Sequence, residues 1–158
     1  MKVEARLAEL GLTLPDVQQL PGGPFPFVPV RLIGNRAVIA GHGPLNSDGT
    51  VWEVRGKVGG ELTLEQGKEA AKLVGLAILA DLKRAIGDLD RVTAWVKALG
   101  MVNSAPGFGN QPAVINGFSE LIVELYGPEI GAHARSAVGM AELPFGIPVE
   151  IEAEVEIA

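Results

Sequence analysis

The sequence predicts an α+β domain of two layers, a mixed β-sheet with two long helices packed on one face. Three observations predict it. Helical and strand periodicities follow one another in the order hairpin, helix, strand, helix, hairpin, with no internal repeat. The last segment alternates strictly, Val149, Ile151, Ala153, Val155 and Ile157 against Glu150, Glu152, Glu154 and Glu156, so one face is buried and the other carries carboxylates. The stretch Val92 to Val102 puts Val92, Ala94, Val96 and Ala98 on one face and Trp95, Leu99 and Met101 on the other, apolar on both, as expected of a central strand covered twice. A sheet with helices on one side and apolar residues on the other has to be completed by another copy, so an oligomer is expected.

Taken in order, Val3 to Leu12 reads as a short helix with Val3, Leu7 and Leu10 on one face and Gly11 as its stop. Leu14 to Pro29 carries prolines at 15, 21, 24, 26 and 29 and is expected to be extended and irregular. Val30 to Ile33 and Ala37 to Ala40 form a hairpin across Gly34-Asn35, a pair suited to positive φ. Gly41-His42-Gly43-Pro44 breaks the ladder, Asn46-Ser47-Asp48-Gly49 turns, and Thr50 to Val54 reads as a further strand.

The strongest helix starts at Thr63, whose hydroxyl forms a capping box with Gln66, and stops at Gly87. Leu64, Ala71, Val74, Ile78, Leu82 and Ala85 share its inward face. Gly67 and Gly75 each lower its helical propensity by about 1 kcal/mol, which close packing against the sheet would offset. After Val92 to Val102 comes a loop, Asn103 to Gly109. A second helix is capped by Asn110, has Pro112 in its first turn, turns Val114, Phe118, Leu121 and Leu125 inward, and ends at Gly127-Pro128. Ala134 to Ala141 and Val149 to Ile157 are the final strands.

Composition narrows the chemistry. The 158 residues, 47% hydrophobic and 20% charged, suit one domain with a buried core, and Gly plus Pro make up only about a fifth. Zero cysteines exclude disulfides, thiolate nucleophiles and Cys-based metal sites. With a net charge of −6 and no run of Lys or Arg, nucleic acid is not an expected partner. Charges at Lys2, Glu4 and Arg6 stand where a signal peptide would be apolar, and the longest apolar stretch, Leu73 to Ala80, is too short for a bilayer. The expected protein is soluble, cytoplasmic and without a membrane partner.

Several side chains are candidates for chemistry. Arg135 at a strand entrance offers a permanently charged fork for a carboxylate or phosphate; the plain alternative is a surface ion pair with a glutamate of the last strand. In the glutamate row, Glu150 lies nearest a loop, while Glu152 onward reads as a solvated face. His42 and His133 could form an acid–base couple, or each could be a structural hydrogen-bonder. No His, Asp and Glu cluster has metal-ligand spacing, and Gly56 to Gly60 matches no phosphate or dinucleotide motif, so no cofactor is expected. Ser104, Ser119 and Ser136 lack a nucleophile-elbow context.

The run Ala134-Arg135-Ser136-Ala137-Val138, then Leu143-Pro144, then Val149-Glu150-Ile151-Glu152-Ala153, resembles the signature of the RidA/YjgF family, also labelled "endoribonuclease L-PSP". Gly34-Asn35, the strand into Ala40-Gly41 and the long central helix fall in that family's order. The resemblance covers residues 25–158, leaves 1–24 as an N-terminal extension, and is closest to a longer, divergent branch. It implies a chorismate-mutase-like fold assembled as a homotrimer, with clefts between subunits that bind small carboxylate-bearing metabolites. It further implies that Arg135 clamps the carboxylate of a 2-imino acid, that Glu150 places the water attacking the imine carbon, and that Asn116 lines the cleft. Phe27 stands where the family has Tyr, Ala40-Gly41-His42 where it has Ser-Gly-Gln, and Ala137 where it has Cys; all three positions belong to the implied substrate-binding set. The implied activity is an imine or enamine deaminase yielding 2-keto acids and ammonia. The alternatives are a non-catalytic binding or regulatory trimer and, from the older label, an endoribonuclease.

Overall fold

The computed structural model describes residues 2–20 and 22–158; Pro21, one of the five prolines expected to keep the early segment irregular, lies outside the described residues. A single five-stranded sheet runs β1 (Val30–Ile33), β2 (Arg36–His42), β5 (Val149–Ile157), β3 (Val92–Asn103), β4 (Ala134–Met140) in that spatial order. The two long helices α2 (Leu64–Ile86) and α3 (Gln111–Gly131) cover one face. The short helix α1 (Lys2–Glu9) packs beside α3 and sends Val3 and Leu7 into the same hydrophobic core. The α+β architecture expected from the periodicities is the one observed.

The first hairpin and the long helix form as their local chemistry dictates. β1 and β2 pair antiparallel across Gly34-Asn35, with Gly34 at φ 57°. Thr63 Oγ accepts the Gln66 N–H while Gln66 Oε1 accepts the Thr63 N–H, closing the capping box, and Gly87 ends α2 at φ 86°.

Elsewhere the expectations need correction. Thr50 to Val54 is not a strand: Asp48 takes both the N–H and the hydroxyl of Thr50, and only an isolated bridge joins Leu45 to Val51. The last two strands are not a hairpin. β5 runs antiparallel between β2 and β3, whereas β4 lies parallel to β3 on its far side and forms the sheet edge. Bulges at Val92/Ala94 and Trp95/Lys97 break the alternation of β3, so Trp95 turns to the helices and packs edge-on to Phe118 and Tyr126, leaving Val96 outside. Asn110 makes no side-chain cap, and α3 continues for another turn beyond a break at Gly127.

Gly67 and Gly75 do have a packing role, but toward helix α3 and the loop before α2 rather than the sheet. A Cβ at Gly75 would lie 2.9 Å from Leu121, and one at Gly67 would sit 3.0 Å from Val58 and 3.2 Å from Val114. Across the seam, a Cβ on Gly117 of α3 would come within 2.1 Å of the Lys68 carbonyl of α2. The two helices therefore meet backbone to backbone, and only glycine fits there.

The opposite sheet face has no helix. Val38 and Val138 stand exposed on it, Leu99 is half-buried, and Lys97, Ser136, Glu152 and Glu154 share the surface. Arg36 pairs with Glu154, and Thr93 bonds Glu156, so the outer glutamates serve the sheet surface.

Candidate functional site

Two separate constellations emerge from this frame. The first is built on the edge strand. Arg135 opposes Ala98 of β3 and so faces the helix layer. Its Nη1 donates to Ser119 Oγ at 3.0 Å and its Nη2 to the Pro112 carbonyl at 3.1 Å, both on α3. The Nδ1–H of His133 donates to the Gly131 carbonyl at 2.8 Å, so Nε2 is the acceptor for the Ser119 hydroxyl at 2.9 Å. A directional chain results, from guanidinium to serine to imidazole to backbone. Burial, reinforced by the Arg135 charge and opposed by the Gly131 bond, pushes His133 below its ordinary value, in keeping with a neutral ring. Among the described residues no carboxylate pairs with Arg135, so the ion pair with a last-strand glutamate is not formed. Two of its five N–H donors are used and three remain. Ala137, two residues on, lies half-buried against the main core.

The second constellation sits at the β2–β5 end of the sheet. A cavity of about 470 Å³ is lined by Glu150, His42, Asp81, Phe25, Phe27, Phe145, Val17 and Leu20 among others. Glu150 opposes Met101 and therefore projects from the helix-free face. It lies over Gly41, where a Cβ would meet its Oε2 at 2.3 Å, so this glycine makes room for the carboxylate. Among the described residues the Glu150 carboxylate accepts no hydrogen bond. Burial and the neighbouring Glu152 raise it above the usual carboxylate range, with His42 opposing. A bulge after Ile39 turns His42 to the helix side, where Nδ1 meets the Ala40 carbonyl at 2.6 Å and Nε2 meets Asp81 Oδ2 at 2.9 Å. Both nitrogens thus face acceptors, and neither is available to a ligand. Burial would raise Asp81, but the His42 bond and charge, helped by Arg84, outweigh it and hold this carboxyl low.

The structure brings Phe27, His42 and Glu150 together, and it keeps Arg135 and Ala137 apart from them. Arg135 is opposite Ala98, which is opposite Ala153, so it lies two strands across and three residues along from Glu150. Strand spacing and rise make that roughly 14 Å between Cα atoms, with the two side chains on opposite faces. Asn116 joins neither group; it lines a groove on the helix layer with Lys68 and Glu120. His42 and His133 likewise belong to different constellations and form no couple. Asp81 and Phe145 were not candidates from the sequence, and Ser119 was considered there only as a nucleophile and set aside, whereas here it links Arg135 to His133. Asp81 alone carried a signal, an acid on the inward stripe three residues after Ile78. Among the described residues no group of three or more metal-ligating side chains occurs, and no helix is long and apolar enough to cross a membrane.

The five-stranded sheet with helices on one face matches a YjgF/chorismate-mutase-like α+β fold. The chain belongs to the YjgF/RidA family: the family described as "YjgF/chorismate_mutase-like, putative endoribonuclease" matches residues 4–147. It is 39% identical over 156 residues to "Protein TCP17" of Trypanosoma cruzi, covering 99% of this chain and 94% of that one. The crystal structure of protein Atu1372 from Agrobacterium tumefaciens, described as of unknown function, is 41% identical with a TM-score of 0.87, over 99% of this chain and 92% of that one. "A putative endoribonuclease" from Shewanella oneidensis MR-1 superposes with a TM-score of 0.90 at 27% identity, over 99% and 100% of the two chains. A RidA from the Antarctic bacterium Psychrobacter sp. PAMC 21119, at 23% identity and a TM-score of 0.56 over 92% and 99%, shares the fold alone.

Proposed function

We propose that this protein is a homotrimeric imine deaminase, with each site built from Arg135 of one copy and Glu150 of the next. The observation that carries this reading is the separation of the two groups: a guanidinium with three open donors and a hydrogen-bond-free carboxylate lie on opposite faces of one sheet. Neither half is a site alone, and the exposed Val38 and Val138 on the helix-free face support burial against another copy.

In the shared cleft Arg135 holds the substrate carboxylate through a forked pair of N–H donors, and the Ser119–His133 chain keeps that fork oriented. Glu150 accepts a proton from water as the water oxygen bonds to the imine carbon. The C=N π pair moves to nitrogen, which takes up a proton. Collapse of the carbinolamine then forms C=O as the C–N bond breaks, the hydroxyl proton passing to the departing nitrogen, and releases ammonia and a 2-oxo acid. A carboxylate raised toward neutrality is a stronger base for this step than an ordinary one. An iminium carbon is already electrophilic, so positioning and charge complementarity supply most of the acceleration.

The test is complementation. Arg135→Ala and Glu150→Ala variants are each inactive in release of ammonia from 2-iminobutanoate generated by an amino-acid oxidase. Mixed after co-refolding, they recover roughly a quarter of wild-type activity, since random assortment restores that share of intersubunit sites. Wild-type activity without recovery on mixing would place both residues in one copy. A monomer in sedimentation, or no acceleration by wild type, would remove the deaminase reading and leave a binding protein.

A further inference from the structure

Building on that reading, we infer that the substrate carries a large apolar side chain, up to aromatic size, and that the cavity beside Glu150 receives it. The walls make the case. Phe25 and Phe27 stand with ring centroids 5.5 Å apart, Val17 and Leu20 come from the N-terminal extension, and Val51 and Ile147 close the base. The extension, residues 1–24, thus builds part of the cavity rather than decorating a remote surface.

Phe145 is an independent sign. Among the described residues it is the one non-glycine residue with positive φ, at 60°, a conformation disfavoured for a bulky side chain. Arg55 holds it there: Nη1 donates to the Phe145 carbonyl at 2.8 Å and Nε to the Trp52 carbonyl at 2.8 Å, while the Gly56 N–H bonds the Gly146 carbonyl. A strained, clamped turn that leaves a phenyl ring 54% exposed at a cavity mouth is aimed at a ligand.

The polar lining argues against an acidic side chain. His42 has both nitrogens engaged, and Asp81 is engaged by His42 and Arg84. Beyond Gln18, this leaves the Glu150 carboxylate, which the reaction uses for water and which repels an acidic side chain. A volume of about 470 Å³ lies within the usual range for small-ligand cavities and exceeds what a methyl group fills. In this picture the substrate carboxylate lies on Arg135 of the adjacent copy, its imine carbon by Glu150, and its side chain among Phe25, Phe27 and Phe145.

The experiment compares imines made in place by amino-acid oxidases from phenylalanine, leucine, alanine, glutamate and lysine, using the full chain. The expected kcat/KM for the phenylalanine- and leucine-derived imines is about tenfold or more above that for the others, and Phe145→Ala lowers this ratio. Calorimetry in parallel compares phenylpyruvate with pyruvate; phenylpyruvate binds about tenfold tighter or better. Hydrolysis without that preference, or with a preference for the alanine, glutamate or lysine product, overturns the side-chain assignment and leaves the deaminase. Tighter phenylpyruvate binding with no imine accelerated overturns the deaminase and leaves the assignment. If neither 2-oxo acid binds and no imine is accelerated, both fall.

Discussion

Replacing Gly117 by alanine tests the contact that positions the proposed anion seat. The added Cβ would lie 2.1 Å from the Lys68 carbonyl oxygen, about 1.3 Å short of the 3.4 Å at which ordinary contact begins. The obstacle is backbone, so no rotamer change relieves it; α2 and α3 have to part. Overpacking of this kind costs about 1–3 kcal/mol, and the upper end applies where a main chain must move. Alanine returns about 1 kcal/mol of helix propensity, leaving a net loss of about 2 kcal/mol. For a chain of this size the midpoint of thermal unfolding should fall by about 4–8 °C at fixed protein concentration. Because α3 carries both Ser119 and the Pro112 carbonyl, the same shift should weaken carboxylate binding at Arg135. A Gly117→Ala protein as stable as wild type, or more so, would refute the backbone-to-backbone seam.

Two further predictions concern titration. The folded pKa of Glu150 is raised, so its favourable contribution exists below the ordinary value of 4.5 and is lost as pH rises through the folded value. Glu150→Gln should therefore unfold at a higher temperature than wild type at pH 7, with the gain vanishing near pH 4; a less stable variant at pH 7 would contradict the burial argument. His133 is shifted the other way, so its contribution is present above 6.5 and lost as pH falls through its depressed folded value. Denaturant titrations across that window should show wild type weakening toward acid and His133→Gln lacking this slope. Ser119→Ala should remove about 1 kcal/mol of stability at neutral pH, after allowance for the half-exposed guanidinium; an unchanged midpoint would count against the relay.

What could be read in the sequence was what local chemistry decides. Thr63 and Gln66 lie three residues apart and cap each other, Gly34-Asn35 can only turn, and the Val–Glu alternation of β5 has one way to face a core. What escaped was set by partners distant in the chain. The bulges of β3 reverse the parity of Trp95, and a two-residue periodicity cannot register an inserted residue. That β4 pairs parallel to β3 instead of returning on β5 depends on which sheet edge α3 delivers it to. Gly67 and Gly75 were legible as close contacts but not as contacts with another helix, because Gly117 supplies the other side of the seam. Arg135 and Glu150 were candidates from their places at a strand entrance and beside a loop, and the resemblance gave them roles, yet the contacts around them were not legible. Ser119 and His133 are fourteen residues apart, and nothing in either stretch announces that a helix and a strand bring them to 2.9 Å.

The placement of the two halves has a consequence for control of the proposed reaction. A sheet covered by helices on one side presents two environments, a packed one in which an arginine can be tethered and an open one in which a carboxylate can be left without donors. Tethering needs α3, and it supplies Ser119 and Pro112 at fixed positions. A reactive carboxylate needs the reverse, partial burial without hydrogen bonds, which raises its basicity and burdens the isolated chain. One copy meets both demands only by separating them, with opposite faces and roughly 14 Å between the Cα atoms. In the proposed trimer that separation becomes proximity across the interface, so a free monomer holds a base with no anchored substrate to act on. On that proposal water activation is tied to assembly, and the chemistry is confined to the state in which Arg135 of a neighbouring copy has delivered a carboxylate.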